Sequence, residues 1–396
     1  MKKFGLIGGK LGHSYSPMIH SKFGSYTYEL CEVGEDGLES LLKNEEYGGF
    51  NITIPYKKKV MELCDELSDT ARAIGSVNTV LRSEDGRLKG YNTDYFGFQY
   101  LLEVTGIDVK GMKCLVLGSG GASLTVQAVL ADLGASEVVV ISRTGENNYE
   151  NIHRHFDGEI IVNTTPVGMY PGNGRTPVNL DDFHNCRGVV DLIYNPNRTK
   201  LVLDAMAKSI PASGGLEMLV AQGKEASEIF QNIEIENEEI ESAIDEVRSE
   251  TLNAILIGMP GAGKTLLGGE LAERMGRKFV DIDDMIEEHE GMSIPEIFAQ
   301  KGESYFRRIE TEMLEQACKQ TGLVIATGGG VVKKKANYNI VKQNGVVIWI
   351  KRDLEKLETE GRPLSQSMPL EQMYEERKAA YSYWSDFFIN NNEERV

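Results

Sequence analysis

Eight residues of the second half, Gly258-Met-Pro-Gly-Ala-Gly263-Lys264-Thr265, have the spacing G-x-x-x-x-G-K-[ST]. Such a loop, here Gly261, Ala262 and Gly263, turns its backbone N–H groups toward a phosphate at a helix start. Lys264 neutralises β and γ oxygens, and Thr265 offers its hydroxyl to Mg²⁺. The chemistry is phosphoryl transfer from a nucleotide. Asp281-Ile-Asp283 ends the next apolar run. Read as a strand, it aims both carboxylates to one face, one suited to a metal and one to a hydroxyl substrate, unless both are ordinary surface acids. Arg307 and Arg308 flank the apolar helical face Phe306, Ile309, Met313 and Leu314, so one could hold a carboxylate while the other is solvated. Gly328-Gly329-Gly330 either lets a backbone approach a ligand closely or is a plain loop.

The first half carries a second glycine loop, Gly118-Ser119-Gly120-Gly121-Ala122-Ser123, between an apolar run and a helical pattern. This is the dinucleotide arrangement, although position 123 is Ser rather than Gly or Ala. The next strand ends in Ser142-Arg143-Thr144 instead of an acid, which favours a 2′-phosphate and hence NADP over NAD. Ser14 and Ser16, with Pro17 at a helix start, make either a carboxylate site or a simple cap. In Asn51-Ile-Thr53-Ile-Pro55-Tyr-Lys57, Lys57 is expected on a helix face with Val60, Met61 and Cys64, half-desolvated and fit for proton transfer. Asp94 in Asn92-Thr-Asp94 is a candidate partner or a helix cap.

The elements that must position these groups alternate. Apolar runs at Phe4–Gly8, Tyr28–Val33, Phe50–Ile54, Lys113–Leu117, Glu137–Ile141, Ile160–Asn163 and Val189–Leu192 read as strands. Helical patterns cover Gly37–Tyr47, Tyr56–Leu67, Tyr95–Thr105 and Gly121–Leu133, and a new strand, Asn253–Ile257, opens a second α/β unit. The length, 396 residues, corresponds to two or three domains of ~150 residues each. Net charge is −18, and no basic stripe invites nucleic acid. The acidic run 224–250 repeats Ile240, Ile244 and Val247 at helical spacing and is expected to pack on the first half. No stretch approaches the ~20 apolar residues of a membrane span, and the start has no secretory apolar core. The five cysteines are odd in number and never in a C-x-x-C pair, as befits a reducing cytoplasm.

Taken together, the residues from Leu252 onward resemble shikimate kinases. The phosphate loop, F-x-D-x-D, G-E-x-x-F-R, T-G-G-G and R-P-L occur in that family's order. The resemblance implies Asp281 and Thr265 at Mg²⁺, and Asp283 on the substrate ring hydroxyls, aiding deprotonation of the attacking one. It implies Arg307 and Arg377 on the substrate carboxylate, the Gly329 backbone along the ring, and Arg362 reaching the transferring phosphate from a lid. Two departures bear on nucleotide affinity: Leu354–Gly361 is short and acidic, without the upstream arginine that often covers adenine, and the family's usual last helix is not reached by Val396.

Residues 3–250 resemble shikimate dehydrogenase through H-S-x-S-P, N-x-T-x-P-x-K, G-x-V-N-T, N-T-D, the glycine loop and G-L-x-M-L-x-x-Q. The resemblance implies Lys57 and Asp94 as the catalytic pair, Ser14 and Ser16 on the carboxylate, and Thr53, Asn78, Tyr194 and Gln222 on the ring. Gly118 to Ala122, Ser142, Arg143, Thr144, Thr165 and Gly215 would contact NADP(H). Only about twenty residues separate Arg143 from Asn163, where the family fits a further strand and helix. The expected fold is therefore α/β throughout. An α/β substrate domain (1–95) and a trimmed Rossmann NADP domain (96–213) come first. A returning helical segment (214–250) then leads to a P-loop parallel α/β kinase domain (251–396). The expected function is bifunctional: reduction of 3-dehydroshikimate, then phosphorylation of shikimate from MgATP. Its rivals are a kinase carrying a silent dehydrogenase module, or a quinate-preferring first half.

Overall fold

The computed structural model describes residues 2–12, 14–357 and 369–392; Arg362 lies outside the described residues. The chain forms two compact units, Met1–Tyr194 with Thr199–Val247, and Asn195–Arg198 with Arg248–Val396.

The first unit opens with β1 (Lys3–Gly8), α1 (Ser16–Phe23), β2 (Thr27–Glu32), α2 (Leu38–Leu42), β3 (Tyr47–Ile52), β4 (Glu66–Leu67), α3 (Asp69–Ile74), β5 (Thr79–Arg82) and β6 (Leu88–Tyr91). These strands form one sheet in the order β2-β1-β3-β5-β6-β4. Parallel β1 and β3 lie inside it and are almost wholly buried, which is why their sequences read as apolar runs.

Two helices expected from the sequence are not formed as such. The run 37–47 keeps only α2 before Tyr47-Gly-Gly-Phe enters β3. The run 56–67 becomes a turn, a 3₁₀ segment (Lys59–Leu63) and β4, so Lys57 sits in a turn rather than on a helix face. The apolar spacing of Val60, Cys64 and Leu67 is met without a helix, because Cys64 and Leu67 pack over Gly90 of β6.

A second sheet follows, built from α4 (Asp94–Thr105), β7 (Lys113–Leu117), α5 (Gly121–Asp132), β8 (Glu137–Ile141), β9 (Ile160–Asn163), β10 (Gly188–Asp191), α6 (Lys200–Ala207) and β11 (Ala212–Ser213). Its order is β11-β10-β9-β7-β8, with every pairing parallel. Between β8 and β9 the chain makes a bridge at Ser142 and Asn148 and a 3₁₀ turn (Ile152–His155), leaving β8 as an edge strand. Then α7 (Leu216–Gln231) returns, and the acidic α8 (Glu238–Thr251) buries Ile240, Ala243, Ile244 and Val247 in one cluster with Ile19, Phe23 and Val220.

The second unit contains β12 (Asn253–Ile257), α9 (Lys264–Met275), β13 (Phe279–Asp281), α10 (Ile282–Glu290), α11 (Ile294–Cys318), β14 (Val324–Ala326), α12 (Ala336–Gln343), β15 (Gly345–Lys351), α13 (Leu370–Trp384) and β16 (Phe387–Asn390). Its sheet is parallel, in the order β13-β14-β12-β15-β16. The expected strand through Asp283 stops at Asp281. The Asp281 side chain accepts the Asp283 N–H at 2.9 Å and caps α10. Asp is a strong N-cap, and acids in the first turn favour the helix dipole, so helix initiation wins over extension. Ser293 and Glu296 form the capping box of α11, which Gly302 (φ 79°, ψ 170°) breaks before the segment that carries Arg307.

Candidate active sites in the two units

In the first unit, the Lys57 ammonium donates to Asp94 Oδ2 at 2.5 Å, with the two side chains 14% and 8% exposed. Asp94 is free for this role because Asn92 does the capping: its Oδ1 accepts the Tyr95 N–H at 3.2 Å. Around the pair, Asn78 Nδ2 donates to Thr93 Oγ1 (2.9 Å) and Gln222 Oε1 (3.4 Å), joining the end of the first sheet to α7. At the start of α1, Ser14 Oγ donates to Ser16 Oγ at 3.1 Å, and the Tyr194 hydroxyl bonds Ser14. Thr53 stands just beyond β3, its methyl against Gly8.

The sequence reading passed over a polar chain beneath these groups. Tyr28 donates to Asn51 Oδ1 (2.7 Å), Asn51 Nδ2 to Thr79 Oγ1 (3.0 Å) and Thr79 to Asn78 Oδ1 (3.1 Å). Its only linear signal is a polar Asn in the buried strand β3. It also passed over Glu225, one turn beyond Gln222 on α7. Burial, helped by Glu228 and Asp94, pushes the Glu225 carboxyl up to about 8.

The dinucleotide loop follows β7. Gly118 has φ 111°, and a Cβ there would lie 2.6 Å from Thr164 Oγ1, so the turn needs glycine. Ser119 and Gly120 are exposed, while Gly121 and Ala122 begin α5. A Cβ on Gly121 would be 3.2 Å from Lys57 Cβ, which puts this helix start against Lys57. The unusual Ser123 is harmless, since its buried hydroxyl donates to Gly118 O at 2.7 Å. Ser142 Oγ accepts the Gly145 N–H, and Arg143 and Thr144 are exposed at the end of β8. Thr165 donates its hydroxyl to Asn163 Oδ1 at 2.7 Å. Buried Asp191 then accepts from Asn163, Ile193 and Thr199, and burial raises it to about 6. Gly215 packs on Leu192 O so closely that a Cβ there would be 2.2 Å away. Helix-start N–H groups with an exposed arginine fit a pyrophosphate and a 2′-phosphate.

In the second unit, buried Lys264 donates to Gly258 O and Met259 O, both at 3.0 Å, inside the phosphate loop. Gly261 (φ 80°) and Gly263 (φ 88°) flank Ala262. Thr265 Oγ1 donates to Asp281 Oδ2 at 2.7 Å. This hydroxyl–carboxylate pair fits Mg²⁺, which keeps several waters and takes few protein ligands.

Asp283 is half-buried, and desolvation with Asp281 and Glu310 nearby pushes it up to about 7. Glu310, another residue the sequence reading missed, is buried on α11 and accepts from Arg307 at 2.8 Å. Three buried polar atoms here have no hydrogen-bond partner among the described residues: Asp283 Oδ1, Glu310 Oε1 and Arg377 Nε. The loop Gly328–Gly330 is their floor. Added Cβ atoms would meet Glu310 Oε1 (2.7 Å) at Gly328, Pro260 Cδ (2.4 Å) at Gly329 and Arg307 Nη2 (2.3 Å) at Gly330. Arg377 Nη1 and the Tyr381 hydroxyl both donate to Gly329 O. Two arginines facing two carboxyls over a bare backbone can bind a small hydroxy acid by its carboxylate and its hydroxyls. Arg308, by contrast, is exposed and paired with Glu312.

Residues 6–80 match the family described as shikimate dehydrogenase substrate binding domain, and residues 260–396 match shikimate kinase. Among curated relatives, the shikimate dehydrogenase (NADP(+)) of Clostridium beijerinckii is 39% identical over 257 residues, 60% of this chain and 94% of that protein. Shikimate dehydrogenase 1 from Peptoclostridium difficile superposes with a TM-score of 0.59 at 36% identity, over 63% of this chain and 98% of that one. The Thermus thermophilus enzyme, solved with NADP(H) and shikimate, gives a TM-score of 0.57 at 31% identity, over 62% and 99%.

Proposed function

The chain belongs to the shikimate dehydrogenase family and continues into a shikimate kinase domain, a bifunctional shikimate-pathway enzyme, and we propose that each unit works through the residues just described. The first reaction reduces 3-dehydroshikimate and the second phosphorylates shikimate. Bound NADPH supplies the hydride of the first, and bound Mg²⁺ screens phosphate charge in the second.

In the first unit, Lys57 gives its proton to the carbonyl oxygen as the carbon takes up hydride, and then regains one from solvent. Asp94 orients the lysine. Ser14 and Ser16 bind the carboxylate, and Thr53, Asn78, Tyr194 and Gln222 hold the ring. The loop from Gly118 to Ala122, Ser142 to Thr144, Thr165 and Gly215 hold the dinucleotide. In the second unit, Arg307 and Arg377 grip the shikimate carboxylate over Gly329, Glu310 fixes Arg307, and Asp283 accepts the proton of the attacking hydroxyl. Lys264 and Arg362 neutralise the transferring phosphate, while Thr265 and Asp281 hold the metal. The oxygen protonated by Lys57 is the one phosphorylated next.

We assign 1–95 to the substrate domain, 96–213 to the cofactor domain, 214–250 to the returning helices and 251–396 to the kinase. We place the enzyme in the cytoplasm, none of its five cysteines in a disulfide, with small molecules rather than nucleic acid as partners. No helix among the described residues is long and apolar enough to cross a membrane.

The observation that carries the reading is the buried Lys57–Asp94 pair beside a dinucleotide loop, which a silent module does not need. NADPH consumption with 3-dehydroshikimate and no ATP tests it. Turnover is expected. Its absence, in protein that still forms ADP from shikimate and ATP, would leave a kinase with a silent partner, and faster oxidation of quinate than of shikimate would overturn the substrate.

A further inference from the structure

The polar chain beneath the first unit's ring-binding residues runs in one direction, and both of its ends fix that direction. At the far end Tyr28 donates to Asn51 Oδ1 at 2.7 Å. Burial keeps its phenol protonated, and the His20 ring stacks on it with centroids 3.9 Å apart. At the near end the Thr93 backbone N–H donates to Asn78 Oδ1 at 2.7 Å. A backbone N–H has no other role, so the Asn78 oxygen must face it.

Between these ends each group takes the role left to it. Asn51 receives on Oδ1, so its Nδ2 donates to Thr79 Oγ1 (3.0 Å). The Thr79 hydroxyl, receiving there, gives its single hydrogen to Asn78 Oδ1 (3.1 Å). Together with the Thr93 N–H, that fills both lone pairs of the Asn78 oxygen. Asn51, Asn78, Thr79 and Thr93 are all buried, so a lost link is costly to replace.

Asn78 therefore meets a ligand as a donor only. One Nδ2 hydrogen goes to Thr93 Oγ1 at 2.9 Å, and the other reaches Gln222 Oε1 at a long 3.4 Å. Gln222 spends its own Nε2 on Leu219 O (2.9 Å), so it faces Asn78 as an acceptor. A ring hydroxyl that accepts from Asn78 and donates to Gln222 satisfies both. A group with one of those capacities satisfies one side alone.

We propose that Thr79 is a positioning residue for the reduction, its hydroxyl fixing the Asn78 amide so that Asn78 and Gln222 select a ring hydroxyl of the substrate. The inference rests on the dehydrogenase reading of the first unit and adds the group that stands behind its ring contacts.

Steady-state reduction of 3-dehydroshikimate by the full chain tests it. Thr79→Val keeps the side-chain shape and removes the hydroxyl. It is expected to raise KM for 3-dehydroshikimate about tenfold, with a smaller change in kcat and an unchanged KM for NADPH. Thr79→Ser, which keeps the hydroxyl, is expected to stay within about twofold of wild type. Tyr28→Phe, which removes the donor at the far end, is expected to raise the same KM about threefold. A purely structural Thr79 would lower stability and leave the KM of the folded enzyme alone. A wild-type KM in Thr79→Val would therefore overturn the proposal, as would a Thr79→Ser variant equally impaired or a parallel rise in KM for NADPH. If Thr79→Val does not fold, Tyr28→Phe decides, and an unchanged KM there would overturn the proposal. No reduction by the wild-type chain would instead overturn the dehydrogenase reading, and the inference with it.

Discussion

The two catalytic centres differ in how complete they are. The Lys57–Asp94 pair is closed on itself, both charges matched, and Asn92 takes the capping duty that would compete for the aspartate. The candidate substrate side of the second unit is open: Asp283 Oδ1, Glu310 Oε1 and Arg377 Nε are buried with no hydrogen-bond partner among the described residues. A pair proposed for proton transfer must be in place before its substrate arrives, because general acid catalysis depends on the geometry of the transfer. A site that recognises hydroxyls and a carboxylate does better to keep donors and acceptors unspent, since a substrate that satisfies them relieves a desolvation cost.

Five substitutions would break or sharpen that comparison. The largest effect is expected from removing the closed pair. Lys57→Ala should lower the reduction rate by ~10³-fold or more, the upper range for a general acid, and leave phosphorylation untouched. Lys264→Ala should do the reverse, and loss of both activities from either change would contradict two independent centres. Next, Glu310→Gln takes one charged partner from Arg307. It should raise KM for shikimate in the kinase assay by about tenfold, with a smaller change in kcat, because hydrogen bonds to charged groups contribute ~1.5–3 kcal/mol. A loss confined to kcat would move Glu310 from substrate binding to the transfer step.

A smaller effect concerns stability. Folding lifts the Glu225 carboxyl from 4.5 to about 8, so the folded chain holds that proton longer than the unfolded chain. Stability therefore falls as pH climbs through that interval and is lowest above it. Glu225→Gln should melt a few degrees higher than wild type on the alkaline side of this window and together with it on the acid side; parallel curves throughout would refute the buried charge. Smallest is Ser123→Ala, which removes the bond to Gly118 O. About 1 kcal/mol is at stake, for a rise of up to severalfold in KM for NADPH.

Much of the fold was legible because β7, β8, β9 and β12 are apolar runs in parallel sheets, bounded by turn residues that mark their ends. The failures share a cause: local spacing admits more than one backbone. Val60, Met61 and Cys64 suit a helix, yet a 3₁₀ segment carries the first two, and Cys64 packs with Leu67 over Gly90. Asp281 and Asp283 suit a strand, yet a capped helix uses both. The phosphate loop could be read because its residues are contiguous. Glu310 and Glu225 could not, because only tertiary packing brings each to its site.

The loop Gly328–Gly330 presents backbone alone to the candidate kinase site, and a methyl added at any of its three positions would press on a different neighbour, Pro260 and its backbone at Gly329 and the ends of the Glu310 and Arg307 side chains at the other two. An inhibitor anchored to those peptide groups would touch atoms that every amino acid has in common. Resistance by substitution within the loop would therefore damage the site before it displaced the drug.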